Sequence, residues 1–442
     1  MTPKPTLSFS QIINMNVGFF GIQYSFGLQQ SAVNPIYDFL GASPEEIPWL
    51  NAAGPVTGLL VQPIIGALSD KTWSPQFGRR KPYFFIGAIL CSICLFFYPF
   101  SSSLWMAAGL LWILDVGNNT AMEPYRAFIA DKLNDDQRAT GFQTQSFFTG
   151  LGQTLANLSL FVFPLIIIGK TGAIPNWVFA SFFLGSVCSI GTIWWSMRTT
   201  PEIPPTEDEL KQMRSEPFSL LSPFRDVPQA IMAMPKVMWQ LGLVYMFQWY
   251  ALFCYWQNSS KSIAFSVWKT NPAENPTLYE EAVSWTGLVN GWYNIVTFLT
   301  AFVLVWLVRK TSPKIVHFCC LVLAGVGFIA FSTIENKYLL FPAITGFGIG
   351  WASMMGIPYL LVVGEIPKER YGVYMGIINM MIVIPMLLQT ATFGYILKNY
   401  LGNNSSNAVM FAGVLLLIAA AATLLIKTKP TDNVELISNS SH

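Results

Sequence analysis

Charge is what this chain has least of. Only 11% of its 442 residues are Asp, Glu, Lys or Arg, where a soluble protein carries about 25%. The formal net charge is +2 and no basic stripe interleaved with aromatics occurs, which excludes nucleic acid as a partner. No GxSxG, HExxH, P-loop or dinucleotide fingerprint stands in a suitable context, so neither an enzyme nor a metal or cofactor site is expected. All six cysteines (Cys91, Cys94, Cys188, Cys254, Cys319 and Cys320) fall in apolar runs. They predict packing, not a disulfide framework, and Cys91-x-x-Cys94 has the spacing of a redox or zinc pair without companion ligands. The stretch 1–10 is too short and too weakly basic for a signal-peptide n-region, and the apolar segment behind it lacks a small-residue cleavage site.

Long apolar runs are what the chain does have. Hydrophobic residues make up 53% of it, and about 20 in a row suffice to cross a bilayer as a helix. Spans are predicted near 11–31, 46–69, 83–100, 104–130, 142–168 and 176–197, then near 238–265, 282–307, 315–333, 338–363, 373–398 and 407–426. The expected architecture is an all-α membrane protein of twelve transmembrane helices in two six-helix halves, 1–197 and 238–442. The stretch 198–237 between them holds Pro201, Pro204, Pro205 and the acidic run Glu207-Asp208-Glu209, and reads as an aqueous linker. With the N-terminus placed in the cytoplasm, 19 of the 25 basic residues fall in inner loops. Lys170, Lys261, Lys269, Lys337 and Lys398 fall outside and Arg126 lies within a helix, so both termini are expected in the cytoplasm.

The halves echo each other. Pro124-Tyr125 in the fourth span is followed by Asp131, and Pro358-Tyr359 in the tenth by Glu365, with the same interval in both. Gly54-x-x-x-Gly58 in the second span is matched by Gly287-x-x-x-Gly291 in the eighth, a spacing that permits close helix approach. Together these indicate parallel six-helix repeats.

The loop after the second span reads Gly66-Ala67-Leu68-Ser69-Asp70-Lys71, then Gly78-Arg79-Arg80-Lys81-Pro82. It resembles the cytoplasmic signature of the major facilitator superfamily with its central spacing lengthened. That stretched form is similar to the sucrose–proton symporters and the related glycoside–pentoside–hexuronide:cation symporters. Gly21-x-Gln23-Tyr24, Leu28-Gln29-x-Ser31, Leu114-Asp115-Val116-Gly117-Asn118-Asn119, Pro124-x-Arg126-Ala127 and Gly376-Ile377-Ile378-Asn379 agree with it. The resemblance is dense in the first half and thin in spans six to nine. The chain departs from it at Glu123, where a neutral residue is expected, and in the eighth span, which has no basic residue. The resemblance implies the major facilitator fold and sugar transport.

A charge at the bilayer centre costs several kcal/mol, so intramembrane charges point to function. Those expected are Asp115, Glu123 and Arg126, all on the fourth span. Asp115, Asn119, Met122 and Arg126 share one helical stripe at about 100° per residue. Glu123 and Arg126, at i and i+3, read as a bracing or gating ion pair. Asp115 has no basic neighbour at i±3 or i±4, so burial and bound ligand set its protonation, and it is the expected coupling proton site. Asp70 with Arg79 and Arg80, and Asp131 and Glu365 at helix ends, read as latch residues or as a solvated loop face.

A sugar needs hydroxyl partners and a flat apolar surface, which Asn, Gln and aromatic side chains supply. The candidates are Gln23, Tyr24, Asn118, Asn119, Gln145, Gln248, Trp249, Asn290, Asn294 and Asn379, with Gln23, Asn119 and Asn294 preferred. His317 reads as a surface histidine, and Gly346-x-Gly348-x-Gly350 as close helix packing. The expected function is secondary active symport of a di- or oligosaccharide such as sucrose or maltose with protons, by alternating access, as a monomer in the cell membrane. A sodium-coupled carrier or an uncoupled facilitator is the alternative within transport. A membrane receptor or lipid-processing enzyme is the alternative outside it.

Overall fold

The computed structural model describes residues 4, 6–207, 210–211, 231–363 and 371–427. Among these are twelve long helices: α1 (Phe9–Phe39), α2 (Ala53–Lys71), α3 (Lys81–Phe97), α4 (Leu104–Lys132), α5 (Asp135–Ile166), α6 (Asn176–Thr199), α7 (Lys236–Val267), α8 (Pro276–Lys310), α9 (Pro313–Thr333), α10 (Leu340–Val363), α11 (Tyr371–Asn399) and α12 (Ser405–Thr423). Nine are long and apolar enough to cross a membrane. The other three are α1, α2 and α4, and α1 and α4 are where buried Asn, Gln and Asp interrupt the apolar surface. Most of the expected linker, 212–230, lies outside the described residues, as do Glu365 and the side chain of Asp70.

Two helix starts follow side-chain caps and not hydropathy. Asn134 accepts a hydrogen bond from the Gln137 amide and starts α5 well ahead of its apolar run. Asn275 does the same for Leu278 ahead of α8. The first helix also outruns its predicted span, continuing from Ser31 through Pro35 to Phe39. Its polar residues there find partners inside the protein, so the end of the apolar run is not the end of the helix. Between α5 and α6 lies a two-residue hairpin, β1 (Lys170–Thr171) on β2 (Ile174–Pro175), turning through Gly172 at φ +65°.

Close packing divides the chain into two units. The first comprises Met1–Gln29 and Ala53–Pro223. Its apolar core runs through Ile12, Phe19, Phe84, Tyr125 and Phe128. In it α3 and α4 touch backbone to backbone: a β-carbon on Gly87 would stand 2.5 Å from the Gly117 carbonyl oxygen.

The second unit comprises Gln30–Ala52 and Phe224–His442. Here α9 meets both α10 and α12 at glycines. A β-carbon on Gly346 would stand 2.4 Å from the Leu323 carbonyl, and one on Gly325 would stand 2.8 Å from that of Gly413. The Gly346-x-Gly348-x-Gly350 run is thus packing, as its sequence suggests. Gly54 is different, since among the described residues a β-carbon there would approach only the Asp115 carboxylate, at 3.9 Å. His317 is fully buried, its Nδ1 2.7 Å from Ser353 Oγ on α10, which corrects the expectation of a surface histidine.

Candidate functional site

Helix α4 begins at Ser103, whose hydroxyl accepts from the Met106 amide, and carries Asp115 three turns in. The Asp115 side chain is 1% exposed. Its Oδ1 accepts a hydrogen bond from Gln29 Nε2 on α1 at 2.8 Å, while Oδ2 has no hydrogen-bond partner among the described residues. No Lys or Arg of the first unit forms an ion pair with it among the described residues.

Two polar strings extend from this carboxylate. Along one, Asn118 Nδ2 donates to Gln29 Oε1 at 3.5 Å, and the Cys91 thiol of α3 donates to Asn118 Oδ1 at 3.2 Å. Along the other, Asn119 Nδ2 donates to the Asp115 carbonyl at 2.9 Å and to Thr57 Oγ1 at 3.1 Å, while its Oδ1 accepts from Gln62 Nε2 at 2.6 Å. Asp115, Asn118 and Asn119 are therefore brought together with Gln29, Thr57, Gln62 and Cys91. The sequence places none of those four among the candidate site residues. Cys91 in particular is more than packing, because its thiol ends one of the strings.

The other sequence candidates are dispersed. Gln23 Oε1 accepts from Gln153 Nε2 at 2.9 Å, a bridge between α1 and α5. Tyr24 packs beside Phe20 and against Gly185 of α6. Gln145 is buried on α5, its Nε2 without a hydrogen-bond partner among the described residues. Glu123 and Arg126 pair at 2.9 Å but are 31% and 48% exposed, so this pair is not sealed in the interior.

At the far end of α4, Arg80 Nε donates to Asp131 Oδ2 at 3.0 Å and Nη1 to Ser69 Oγ at 2.7 Å. Arg79 Nε donates to the Ser69 carbonyl at 3.4 Å. The Glu202 carboxylate, just past α6, accepts from the backbone N–H groups of Arg79, Arg80 and Lys81 at 2.7, 3.0 and 2.8 Å. It places a negative charge on the α3 N-terminus, where the exposed N–H groups favour one.

In the second unit Asn290 is a hub, accepting from Tyr255 Oη at 2.9 Å and donating to Ser31 Oγ at 3.0 Å. Asn294 Nδ2 donates to the Asn290 carbonyl at 2.9 Å within α8. Among the described residues, buried Gln248 has neither amide atom hydrogen-bonded, and Trp249, which lies against Tyr245 and Trp351, has no partner for its Nε1. Asn379 is half-buried on α11. The unit also holds a buried ion pair absent from the sequence reading. Lys261 Nζ lies 2.7 Å from Asp38 Oδ1 with the two side chains 8% and 1% exposed, and Tyr279 donates to Asp38 Oδ2. Lys261, expected in an outer loop, is thus an interior residue of α7.

The profile of the Major Facilitator Superfamily matches residues 15–390, and matches again at 263–440. The sucrose transport protein SUC3 of Arabidopsis thaliana is 31% identical over 157 residues, covering 30% of this chain and 26% of that protein. The sucrose transport protein SUT5 of Oryza sativa subsp. indica is 22% identical over 485 residues, covering 95% of this chain and 88% of that protein. Among solved structures, the nucleoside transporter NupG superposes with a TM-score of 0.70 at 14% identity, over 95% of this chain and 99% of that one. The inward-open xylose transporter XylE from E. coli superposes with a TM-score of 0.66 at 15% identity, over 98% and 99%. At these identities the structural likenesses speak for the fold alone.

Proposed function

The chain belongs to the Major Facilitator Superfamily, and from that premise we propose that it is a sugar–proton symporter with Asp115 as its coupling site. It is a multi-pass membrane transporter, not an enzyme. The observation that carries the coupling assignment is the Asp115 environment: a buried carboxyl with one oxygen held by an amide donor and, among the described residues, the other oxygen bare and no cation paired to it. Burial favours the neutral acid, while donor groups and water favour the carboxylate. Such a group takes a proton when one side of the membrane reaches it and releases the proton when the other side does.

The sugar assignment draws support from the extended similarity to sucrose transport proteins. It draws further support from the amides beside Asp115, since Asn119 and Gln62 can each donate and accept. A hydroxyl of the cargo bonding to these amides, or to the protonated acid, links cargo to proton, and such coupling is reciprocal. The cargo class is a di- or oligosaccharide. In the second unit, Gln248 and Trp249 have polar atoms without a hydrogen-bond partner among the described residues. Asn290, like Asn119 in the first unit, bonds through its whole amide within the protein and Asn294 through its Nδ2, so cargo must exchange with those bonds to use them.

Proteoliposomes with an imposed pH gradient test the assignment. The wild type is expected to accumulate a disaccharide, and Asp115→Asn, neutral and nearly isosteric, to lose accumulation while retaining sugar counterflow. Undiminished uphill uptake by Asp115→Asn would remove Asp115 from the coupling step. Accumulation that follows a sodium gradient and ignores the pH gradient would replace the proton with sodium.

A further inference from the structure

The two oxygens of Asp115 stand in different surroundings, and a directional string of hydrogen bonds makes them so. The Cys91 thiol donates to Asn118 Oδ1, Asn118 Nδ2 donates to Gln29 Oε1, and Gln29 Nε2 donates to Asp115 Oδ1. Each amide presents its oxygen toward Cys91 and its nitrogen toward Asp115. Turning either amide over would set two donors or two acceptors face to face. With Asp115 ionised the string therefore has one sense, and it ends by offering a donor to a single carboxylate oxygen. On the other side, Oδ2 faces Gly54 of α2, where the missing side chain leaves space.

We propose that Gln29 is a positioning residue for proton coupling. It holds Oδ1 as a permanent acceptor, leaves Oδ2 as the oxygen that gains and loses the proton, and has its amide direction set by Asn118 and Cys91. This rests on the reading of Asp115 as the coupling site. The step balances simply: a proton from water bonds to Oδ2, the carboxylate becomes the acid, and the Gln29 bond to Oδ1 is kept but weakened. Among the described residues of the first unit, the titratable group facing Asp115 is the Cys91 thiol from α3. Helix α1 presents Gln29 and α2 presents Gly54, both uncharged. On α4 itself Glu123 and Arg126 lie roughly two and three turns away, paired to each other.

A carboxylate that loses a donor loses part of what favours its charged form, and a shift of one pH unit corresponds to about 1.36 kcal/mol. Gln29→Met keeps length and removes the donor, so the pH profile of sugar uptake is expected to move alkaline by roughly one unit. Cys91→Ser, which keeps a donor, is expected to leave the profile in place. Cys91→Ala, which removes it, should shift the profile the same way as Gln29→Met by less than about half as much. A packing defect would lower the rate at every pH without moving the profile. The infrared carbonyl band lost in Asp115→Asn provides a titration of the same acid without transport, and its midpoint should move with the uptake profile. If that band and the profile stay put in both Gln29→Met and Cys91→Ala while Asp115→Asn abolishes pH dependence, the positioning role is wrong and the coupling site stands. If Asp115→Asn keeps the wild-type pH dependence, the coupling site and the positioning role fall together. Cys91→Ala acts at two removes from the carboxylate and decides the matter should Gln29→Met fail to fold.

Discussion

Lys261 and Asp38 show how one buried residue can be invisible along the chain and decisive in space. A lysine near the end of an apolar run is expected to reach water with its long stem. Here its ammonium instead meets Asp38 of α1 at 2.7 Å, with Tyr279 of α8 donating to the same carboxylate. The i±3 and i±4 bookkeeping that found Glu123–Arg126 is blind to a partner on another helix. Removing one member of a buried pair strands the other charge, at a cost of about 3–5 kcal/mol, whereas removing both is often close to neutral. Lys261→Met is accordingly expected to lower the unfolding midpoint in detergent markedly. The double variant Asp38→Leu with Lys261→Met should recover most of the loss. Equal midpoints for the single and double variants would mean that the pair is not the source of the effect.

Local polar contacts hold some helix ends and the segments that follow them, and these set which conditions loosen them. The segment after α1 is tied within the second unit by Glu45, which accepts from Lys398 Nζ at 2.9 Å and from Asn403 Nδ2 at 3.1 Å. The Lys398 hydrogen bond first, then a local backbone one, holds the Glu45 carboxyl below its ordinary value of 4.5. A carboxyl depressed in the folded state stabilises fully above its unfolded value, and the contribution disappears as pH falls through the folded one. Glu45→Gln should therefore melt slightly below the wild type at pH 7, and the gap should close as the pH falls below about 4. A gap that widens on acidification would reverse the sign.

The same locality explains what the sequence makes legible. Element order and most helix bounds follow from apolar runs. The early starts of α5 and α8 needed the Asn134 and Asn275 caps, and the far end of α1 needed partners for Asp38 and Ser31. Asp115, Asn118 and Asn119 stand out because charge and amides interrupt an apolar run. Gln29, Gln62 and Cys91 do not, because only the fold brings three other helices to that carboxylate.

At the scale of the whole chain, the repeat seen in the sequence has a structural counterpart. Tyr125, after Pro124, bonds to the Met15 carbonyl of α1, the helix that opens the first half. Tyr359, after Pro358, neighbours Tyr245 of α7, the helix that opens the second. Parallel repeats place both halves the same way up in the bilayer, so the orientation of one loop fixes the rest. Moving Lys261 into the interior leaves Lys170, Lys269, Lys337 and Lys398 as the basic residues assigned outside, against 19 assigned inside. The positive-inside bias is thereby sharper than the sequence count alone, and it predicts cytoplasmic termini. Lys170 lies exposed on β1, and Lys269 is exposed and paired with the exposed Glu335, a contact whose loss costs little. Both positions thus tolerate cysteine. Lys170→Cys and Lys269→Cys are expected to react with an impermeant maleimide in intact cells, above the background of the native cysteines. Lys314, which donates to the Leu424 and Ile426 carbonyls at the opposite ends of its unit's helices, should react as cysteine only after permeabilisation. The reverse pattern would invert the topology, and with it the side from which Asp115 is loaded.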